Sequence, residues 1–348
     1  MSKVLLFIML VVFSFLISCS APSLSYRQDA LVGAIRWDAW VGDLNSAGLE
    51  VERALGPNQY HYRAPFYSKE ISQDSIQCRG ATQDIMDKEI AYASDAGLDY
   101  WAFCWYPPHS GLDTARQLYL ASKHRDGIKW CVILGTNPFD YDTDAVWLVD
   151  RFKEKNYQKV LNGRPLVYVF PSAMTKPHEL AKLRNLSKSV NIGEPYIVVM
   201  EFSVKAAVAI ADSLQADAMS AYISWTGKNG EPYDPVIPRA DSLGWEGYKA
   251  TGRKVVPWVT TGHNTKPRID NPVSWTTVSS DGWVSDGTPR QIAANLSNAL
   301  RWTMMNKSAV ESNTVLMYAW NEFDEGGWIC PTLGDNTSRL EAIKEILK

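Results

Sequence analysis

Residues 314–326 read Thr314-Val315-Leu316-Met317-Tyr318-Ala319-Trp320-Asn321-Glu322-Phe323-Asp324-Glu325-Gly326. The first six are an apolar, β-rich run of strand length. The run then delivers a Trp, an Asn and three acids within four positions, before a Gly that lets the backbone turn. A strand ending on carboxylates makes sense where strand ends converge on one edge. Working outward from this stretch asks how many such strands the chain holds.

Eight strand-like runs can be marked: Leu31–Trp37, Tyr100–Tyr106, Lys129–Gly135, Pro165–Phe170, Tyr196–Glu201, Ala218–Ser224, Val255–Thr260 and Thr314–Trp320. Between them lie amphipathic stretches with helical spacing, at Gln83–Ala96, Thr114–His124, Thr143–Lys155, Pro177–Ser189, Val204–Leu214, Asp241–Thr251 and Pro289–Met305; Ser338–Leu347 closes the chain. Strand alternating with helix predicts a parallel sheet with crossover helices. Eight such units predict a closed (β/α)8 TIM barrel, a single α/β domain over residues 30–348. The strand runs are nearly continuous apolar, as strands covered on both faces are. An open doubly wound sheet lacks support, since no Gly-rich phosphate loop follows the first strand. Two connections are long, 38–81 and 261–288, and both follow strands, so both are expected over the C-terminal face of the barrel.

Composition narrows the chemistry. The 348 residues carry 35 basic and 38 acidic side chains, a net charge of −3, which excludes an electrostatic footprint for nucleic acid. The chain holds 14 Trp and 16 Tyr. A large core takes many of them, and sugar-binding clefts use the rest as platforms. At the N-terminus Lys3 precedes the apolar run Val4 to Ile17, followed by Ser18-Cys19-Ser20, the pattern of a cleaved export signal. Leu16-Ile17-Ser18-Cys19 resembles the lipobox of bacterial lipoproteins, which implies lipid attachment at Cys19, residues 1–19 as signal and attachment site, 20–29 as a tether, and an exported, membrane-anchored protein at the periplasm or cell surface. Cys104 and Cys131 fall inside apolar strands and are expected as small buried hydrophobes. No Cys/His spacing suggests a metal site, and neither metal nor organic cofactor is expected.

The strand ends of a barrel hold its chemistry. Here they present Trp37, Asp38 and Trp40; Trp105 and Tyr106; Asn137; Glu201; Tyr222 and Trp225; Trp258 with His263; and Trp320, Asn321 and Glu322. Aromatic faces stack on the C–H faces of sugars, and carboxylates, amides and imidazole pair with hydroxyls. Each has a plainer alternative: a Trp here can be a core lid, and Glu201 a buried salt-bridge partner. Glu322 and Glu325 are the sharpest pair. Glycoside cleavage needs one carboxyl to protonate the leaving oxygen and another at the ring side. On a helical turn, residues three apart share a face, and two close carboxyls push one pKa up. Asp324 is expected to point elsewhere.

Trp320-Asn321-Glu322-Phe323-Asp324-Glu325-Gly326 resembles the W-N-E-x-x-E-G signature of glycoside hydrolase family 99, the endo-α-mannosidases and endo-α-mannanases. Asn162-Gly163-Arg164-Pro165-Leu166-Val167-Tyr168 looks like that family's lead into strand four; Gly97-Leu98-Asp99-Tyr100 and the segment from Trp258 to Arg268 are also similar. The resemblance spans about residues 30–347. It implies a (β/α)8 fold and retaining, endo-acting hydrolysis of α-linked, mannan-like glycans through a 1,2-anhydro sugar. Glu322 would take the proton from the sugar 2-hydroxyl and Glu325 would act as general acid and then base. The chain departs from the family in having Phe323 where Trp is usual and Cys330-Pro331 where Glu-Pro is common. The expected partners are an oligo- or polysaccharide and, through the anchor, a membrane, with the protein acting as a monomer. A glycan-binding lipoprotein that no longer cleaves, and a transglycosylase, are the competing readings.

Overall fold

The computed structural model describes residues 27–171 and 175–348. The expected signal segment, Cys19 and most of the expected tether lie outside them. Eight parallel strands form the frame: β1 (Leu31–Arg36), β2 (Tyr100–Cys104), β3 (Lys129–Leu134), β4 (Arg164–Val169), β5 (Tyr196–Met200), β6 (Ala218–Ser220), β7 (Lys254–Val255 and Trp258–Thr260) and β8 (Thr314–Tyr318). Each pairs with its neighbours in chain order, from Gly33 opposite Tyr100 to Val198 opposite Ala218, and β8 returns to β1 with Leu31 opposite Thr314.

The ring closes through β7, which is broken at Val256-Pro257 because Pro257 has no N–H to give a ladder. Its first half pairs with β6, Lys254 opposite Ala218, and its second half with β8, Trp258 opposite Leu316. Across the break, Val256 N donates to Met219 O at 2.9 Å and the Pro257 carbonyl accepts from Leu316 N at 3.0 Å, so no strand edge is left unpaired there. Eight helices cover the outside: α1 (Gln83–Ala96), α2 (Thr114–Ala121), α3 (Asp144–Phe152), α4 (Pro177–Ser189), α5 (Val204–Leu214), α6 (Tyr233–Lys249), α7 (Pro289–Met305) and α8 (Ser338–Leu347). This is the (β/α)8 barrel that the alternation predicts.

Side chains fill the barrel in two layers. Inside, the hydroxyls of Tyr100 on β2 and Tyr168 on β4 meet at 2.8 Å across the intervening β3, which places both rings in the interior. Gly33 makes room for them: a Cβ there would stand 2.1 Å from the Tyr100 ring. Outside, Trp101 and Trp130 lie between sheet and helices, against Tyr119 of α2 and Trp147 of α3. Burying each such ring contributes about 2–3 kcal/mol. Much of the Trp excess is therefore interlayer packing; Trp101, Trp105, Trp130, Trp245, Trp320 and Trp328 are all fully buried.

Two expectations need correction in extent. Strand six pairs only over Ala218–Ser220, and the residues to Ser224 leave the sheet toward the mouth. The sixth helix begins well before Asp241, at Tyr233–Lys249. Pro235 and Pro238 read as breakers in sequence, but Asp234 is non-helical (φ −104°, ψ 126°), so the regular helix starts at Pro235 and both prolines fall among its first four residues, whose N–H groups have no helical acceptor to lose. The loop 38–81 is largely ordered, with a helix at Ser46–Leu55, a 3-10 segment at Asn58–Arg63 and a hairpin of Lys69–Ser72 with Ser75–Gln77. Buried Arg63 straps it to the other long loop, donating to Asn264 O at 2.7 Å and to Asp286 at 3.0 Å. Both long loops thus rise over the same end of the barrel, as expected.

Candidate active site

Beyond β8 the chain does not turn helically. Asn321–Glu322 pairs antiparallel with Gly327–Trp328, Asn321 opposite Trp328 and Glu322 opposite Gly327, so Phe323–Gly326 form a hairpin loop. Two glycines permit it. Gly326 has φ +85°, the left-handed region, and a Cβ would lie 2.4 Å from Asn264 N. At Gly327 a Cβ would lie 2.2 Å from the Tyr318 ring. The hairpin thus folds down onto Tyr318 and against the 262–264 segment, bringing Glu322 and Glu325 to one cavity of about 490 Å³.

Three side chains organise that pair. Tyr222 Oη donates to Glu322 Oε1 at 2.9 Å, and Tyr318 Oη donates to Glu325 Oε2. The two tyrosine rings are 5.4 Å apart, and burial foremost pushes both phenols far above their ordinary range, so they remain donors. Arg268, buried on the short helix Lys266–Asp270, donates through Nε to Asp324 Oδ2 at 2.7 Å and through Nη1 to Glu325, with Nη2 4.0 Å from Glu322. Burial works against the Arg268 charge, but the Asp324 and Glu325 carboxylates outweigh it and raise its pKa. Its guanidinium also lies 5.6 Å from the ring centres of both Trp37 and Trp275.

Three acids therefore share one cation. Burial, then the Glu325 charge, raises the Glu322 carboxyl well above the usual carboxylate range. The raised carboxyl is Glu322, and burial contributes more to the rise than the neighbouring Glu325, which is carried on a hairpin rather than a helical turn. Asp324 is fully buried against Arg268 and does not face the cavity, as its demotion anticipated.

The remaining predicted site residues divide. Trp37, Tyr106, Asn137 and Tyr222 line the cavity with the glutamates. Trp37 Nε1 donates to Tyr106 Oη, and Asn137 Nδ2 to Trp105 O at 3.1 Å. Trp225 stands at the rim, 59 % exposed. His263 is buried beside Trp225, ring centres 5.3 Å apart, and burial lowers its pKa so that it is neutral at pH 7.

The other predicted residues serve the frame rather than the cavity. Trp105 points to the helix layer and is capped by Arg116 at 4.1 Å. Trp258 is buried against Tyr248, its Nε1 donating to Ser224 Oγ at 2.9 Å. Trp320 packs on Trp101 at 5.0 Å and donates to Glu89 at 3.2 Å. Trp40 abuts Phe323 at 4.8 Å and donates to Asn321 O at 2.6 Å. Asn321 is a lock between strand ends: its Oδ1 accepts from Trp37 N at 2.9 Å and its Nδ2 donates to Asp38 Oδ1 at 3.1 Å. Asp38 lies beneath, paired with Arg36 at 2.8 Å, its carboxyl pushed up to about 6, chiefly by burial. Glu201 accepts from the backbone amides of Phe202 at 2.7 Å and Ser203 at 3.3 Å, capping the approach to α5. Its carboxylate had a structural reason after all.

Sequence reasoning missed Arg268, Tyr318 and Trp275. The available signals were the family-like segment ending at Arg268 and, at Tyr318, an inward strand position whose hydroxyl requires a partner. Both departures from the family signature lie behind the hairpin. Phe323 packs on Trp40, and the Cys330 thiol faces Glu89 at 3.6 Å. Cys78, Cys104, Cys131 and Cys330 are free and buried. Among the described residues, no group of three or more His, Cys, Asp or Glu could hold a metal ion.

No family model matches this chain, and no curated protein matches it significantly. Solved structures do. A "glycoside hydrolase-like protein" superposes with a TM-score of 0.64 at 16 % identity, covering 92 % of this chain and 94 % of that one. The GH99 endo-alpha-mannosidase from Bacteroides thetaiotaomicron superposes with a TM-score of 0.58 at 14 % identity, covering 91 % and 95 %. The same enzyme in complex with bis-tris-propane gives 0.57 at 15 %, covering 92 % and 96 %. At such identities the likeness is one of fold. Over nine-tenths of its length, this chain has a fold similar to that of the glycoside hydrolase family 99 endo-α-mannosidase.

Proposed function

We propose that this protein is a glycoside hydrolase that cleaves α-linked, mannan-like glycans within the chain and with retention. The observation that carries the reading is the pair of glutamates on the hairpin after β8, both lining one aromatic cavity and each held by its own tyrosine hydroxyl. The W-N-E-x-x-E-G resemblance and the fold likeness support it.

The reaction requires Glu322 as the carboxylate and Glu325 as the acid. Glu322 removes the proton from the sugar 2-hydroxyl as O2 attacks C1, and Glu325 protonates the departing glycosidic oxygen. A 1,2-anhydro sugar results. Water, deprotonated by Glu325, then opens it at C1 while Glu322 returns the proton to O2. Two inversions at C1 give net retention. Burial, which raises the Glu322 pKa, makes its carboxylate a stronger base toward a weakly acidic hydroxyl. Tyr222 keeps one oxygen of Glu322 occupied and leaves the other for the proton.

The test is product analysis with a panel of neutral α-linked oligosaccharides. New reducing ends from internal bonds, first appearing as the α anomer, are expected. Bound but uncut oligosaccharide would replace this reading with a binding protein, and β product would overturn retention. The lipid anchor is likewise a proposal, supported by Leu16-Ile17-Ser18-Cys19. Labelled palmitate should enter the wild type and not Cys19→Ala; equal labelling would refute it.

A further inference from the structure

The cavity continues past the glutamates along a file of aromatic rings. Tyr222, the donor to Glu322, has its ring 5.6 Å from Phe170. Phe170 is 6.1 Å from Phe202, and Phe202 is 5.8 Å from Trp225, each contact edge to face. The file leads from a buried carboxyl to solvent, where Phe202 is 43 % and Trp225 59 % exposed. Single exposed aromatics need no explanation. Two in mutual contact, one of them lining the cavity, form a continuous surface that water solvates poorly. The Trp225 indole is braced by Phe202 and His263 and so presents itself at low entropic cost.

A second aromatic surface lies elsewhere on the mouth. Trp275 is 41 % exposed, and its ring is 5.7 Å from Trp37. Trp37 and Trp275 follow β1 and β7, whereas Phe202 and Trp225 follow β5 and β6; β1 and β5 are diametrically placed in an eight-stranded ring. The glutamates thus have aromatic surface on two sides. The charge pattern limits what can lie there. Arg268 is the one cation lining the cavity among the described residues, and Asp324 and Glu325 already hold it, with Glu322 nearby. Within that cavity lining, no cation is left over for a sugar carboxylate or sulfate.

We propose that Phe202 and Trp225 form an outer subsite that stacks a neutral pyranose ring of the same glycan whose scissile bond sits at Glu322 and Glu325. This rests on the glycosidase reading and deepens it: the cleft is open on both sides, and the substrate is an uncharged oligosaccharide long enough to pass through.

The test is calorimetric titration of Glu325→Gln protein with a ladder of neutral α-linked manno-oligosaccharides. Affinity should rise in a step at the length that reaches Trp225. Adding Trp225→Ala should abolish that step, a loss of about three- to tenfold on the long ligands, with short ligands bound as before; Trp225→Phe should restore most of it. Trp225 is exposed, so the alanine variant is expected to fold. An oligosaccharide of equal length carrying uronic acids should bind more weakly. If the ladder binds but Trp225→Ala keeps the step, the subsite is refuted and the glycosidase reading stands. If uronides bind equally well, the neutral class is refuted. If no ladder member binds, the glycosidase reading falls and the subsite with it.

Discussion

Arg268→Met is the perturbation with the most pronounced structural signature. The side chain is 4 % exposed and faces three carboxyls: Asp324 at 2.7 Å, Glu325 in hydrogen-bond contact and Glu322 at 4.0 Å. Methionine keeps much of the volume and removes the charge. Removing one partner of a buried ion pair costs about 3–5 kcal/mol, because the other charge is left without compensation. The cost depends on pH with a defined sign. Glu322 and Asp324 both have folded pKa values above their ordinary ones, in both cases chiefly from burial, and in both cases Arg268 opposes the rise. Without Arg268 both rise further. An acid whose pKa is raised by folding contributes stability below its unfolded pKa and loses it as pH rises through the folded one. The variant should therefore approach wild type near pH 5, where the acids take up protons, and fall furthest behind near pH 8. Urea midpoints at the two pH values, with unchanged slope, measure this. A deficit under about 1 kcal/mol, the range of a surface pair, or one that does not shrink on acidification, would refute Arg268 as the cation that holds the site.

Other substitutions separate frame from site. Gly326→Ala sets a Cβ 2.4 Å from Asn264 N at φ +85°, and should cost about 2–3 kcal/mol and lower turnover, because the hairpin must move; thermal melting with wild-type turnover would show that the hairpin does not position Glu325. Glu201→Ala removes two carboxylate–amide hydrogen bonds in the turn before α5 and should cost about 1 kcal/mol with turnover unchanged; a large fall in kcat would return Glu201 to the site. Asp38, raised from 3.8 to about 6, should cost the wild type about 3 kcal/mol, two pKa units at roughly 1.36 kcal/mol each, as pH rises from 4 through 6. Asp38→Asn should remove that slope from a pH series of denaturation midpoints, and an unchanged slope would assign it to another group.

The barrel was legible because its strands are covered on both faces: runs such as Tyr196–Met200 are apolar throughout, here after a turn marked by Gly193 and Pro195. Glu322 and Glu325 were legible for a related reason, since acids directly after such a run stand at a strand's C-terminal end. The hairpin was not. Three-residue spacing serves a helical turn and a tight hairpin alike, and what decides is the room at Gly326 and Gly327, which depends on Asn264 and Tyr318 far away in the fold. Arg268 was hidden by the same distance in sequence. Arg268 was seen only as the end of a family-like segment, with no role attached, and its role comes from loop seven folding over strand eight. Trp105 and Trp320 lie away from the cavity because alternation sends every second residue outward. Trp105 and Trp320 face helices, while Tyr106 and the glutamates face the mouth. Glu201 failed because an acid between a strand and a helix can bind the chain's own amides as well as a substrate.

The central claim is that the Glu322–Glu325 pair breaks glycosidic bonds. Its most direct test is the single-turnover rate of cleavage of an internally linked α-manno-oligosaccharide by wild type, Glu322→Gln and Glu325→Gln, with folding and sugar binding checked in each. The account predicts a loss of at least about 10²-fold in either variant, the scale of a lost general acid or base, with binding retained. Cleavage at the wild-type rate by either variant would contradict it.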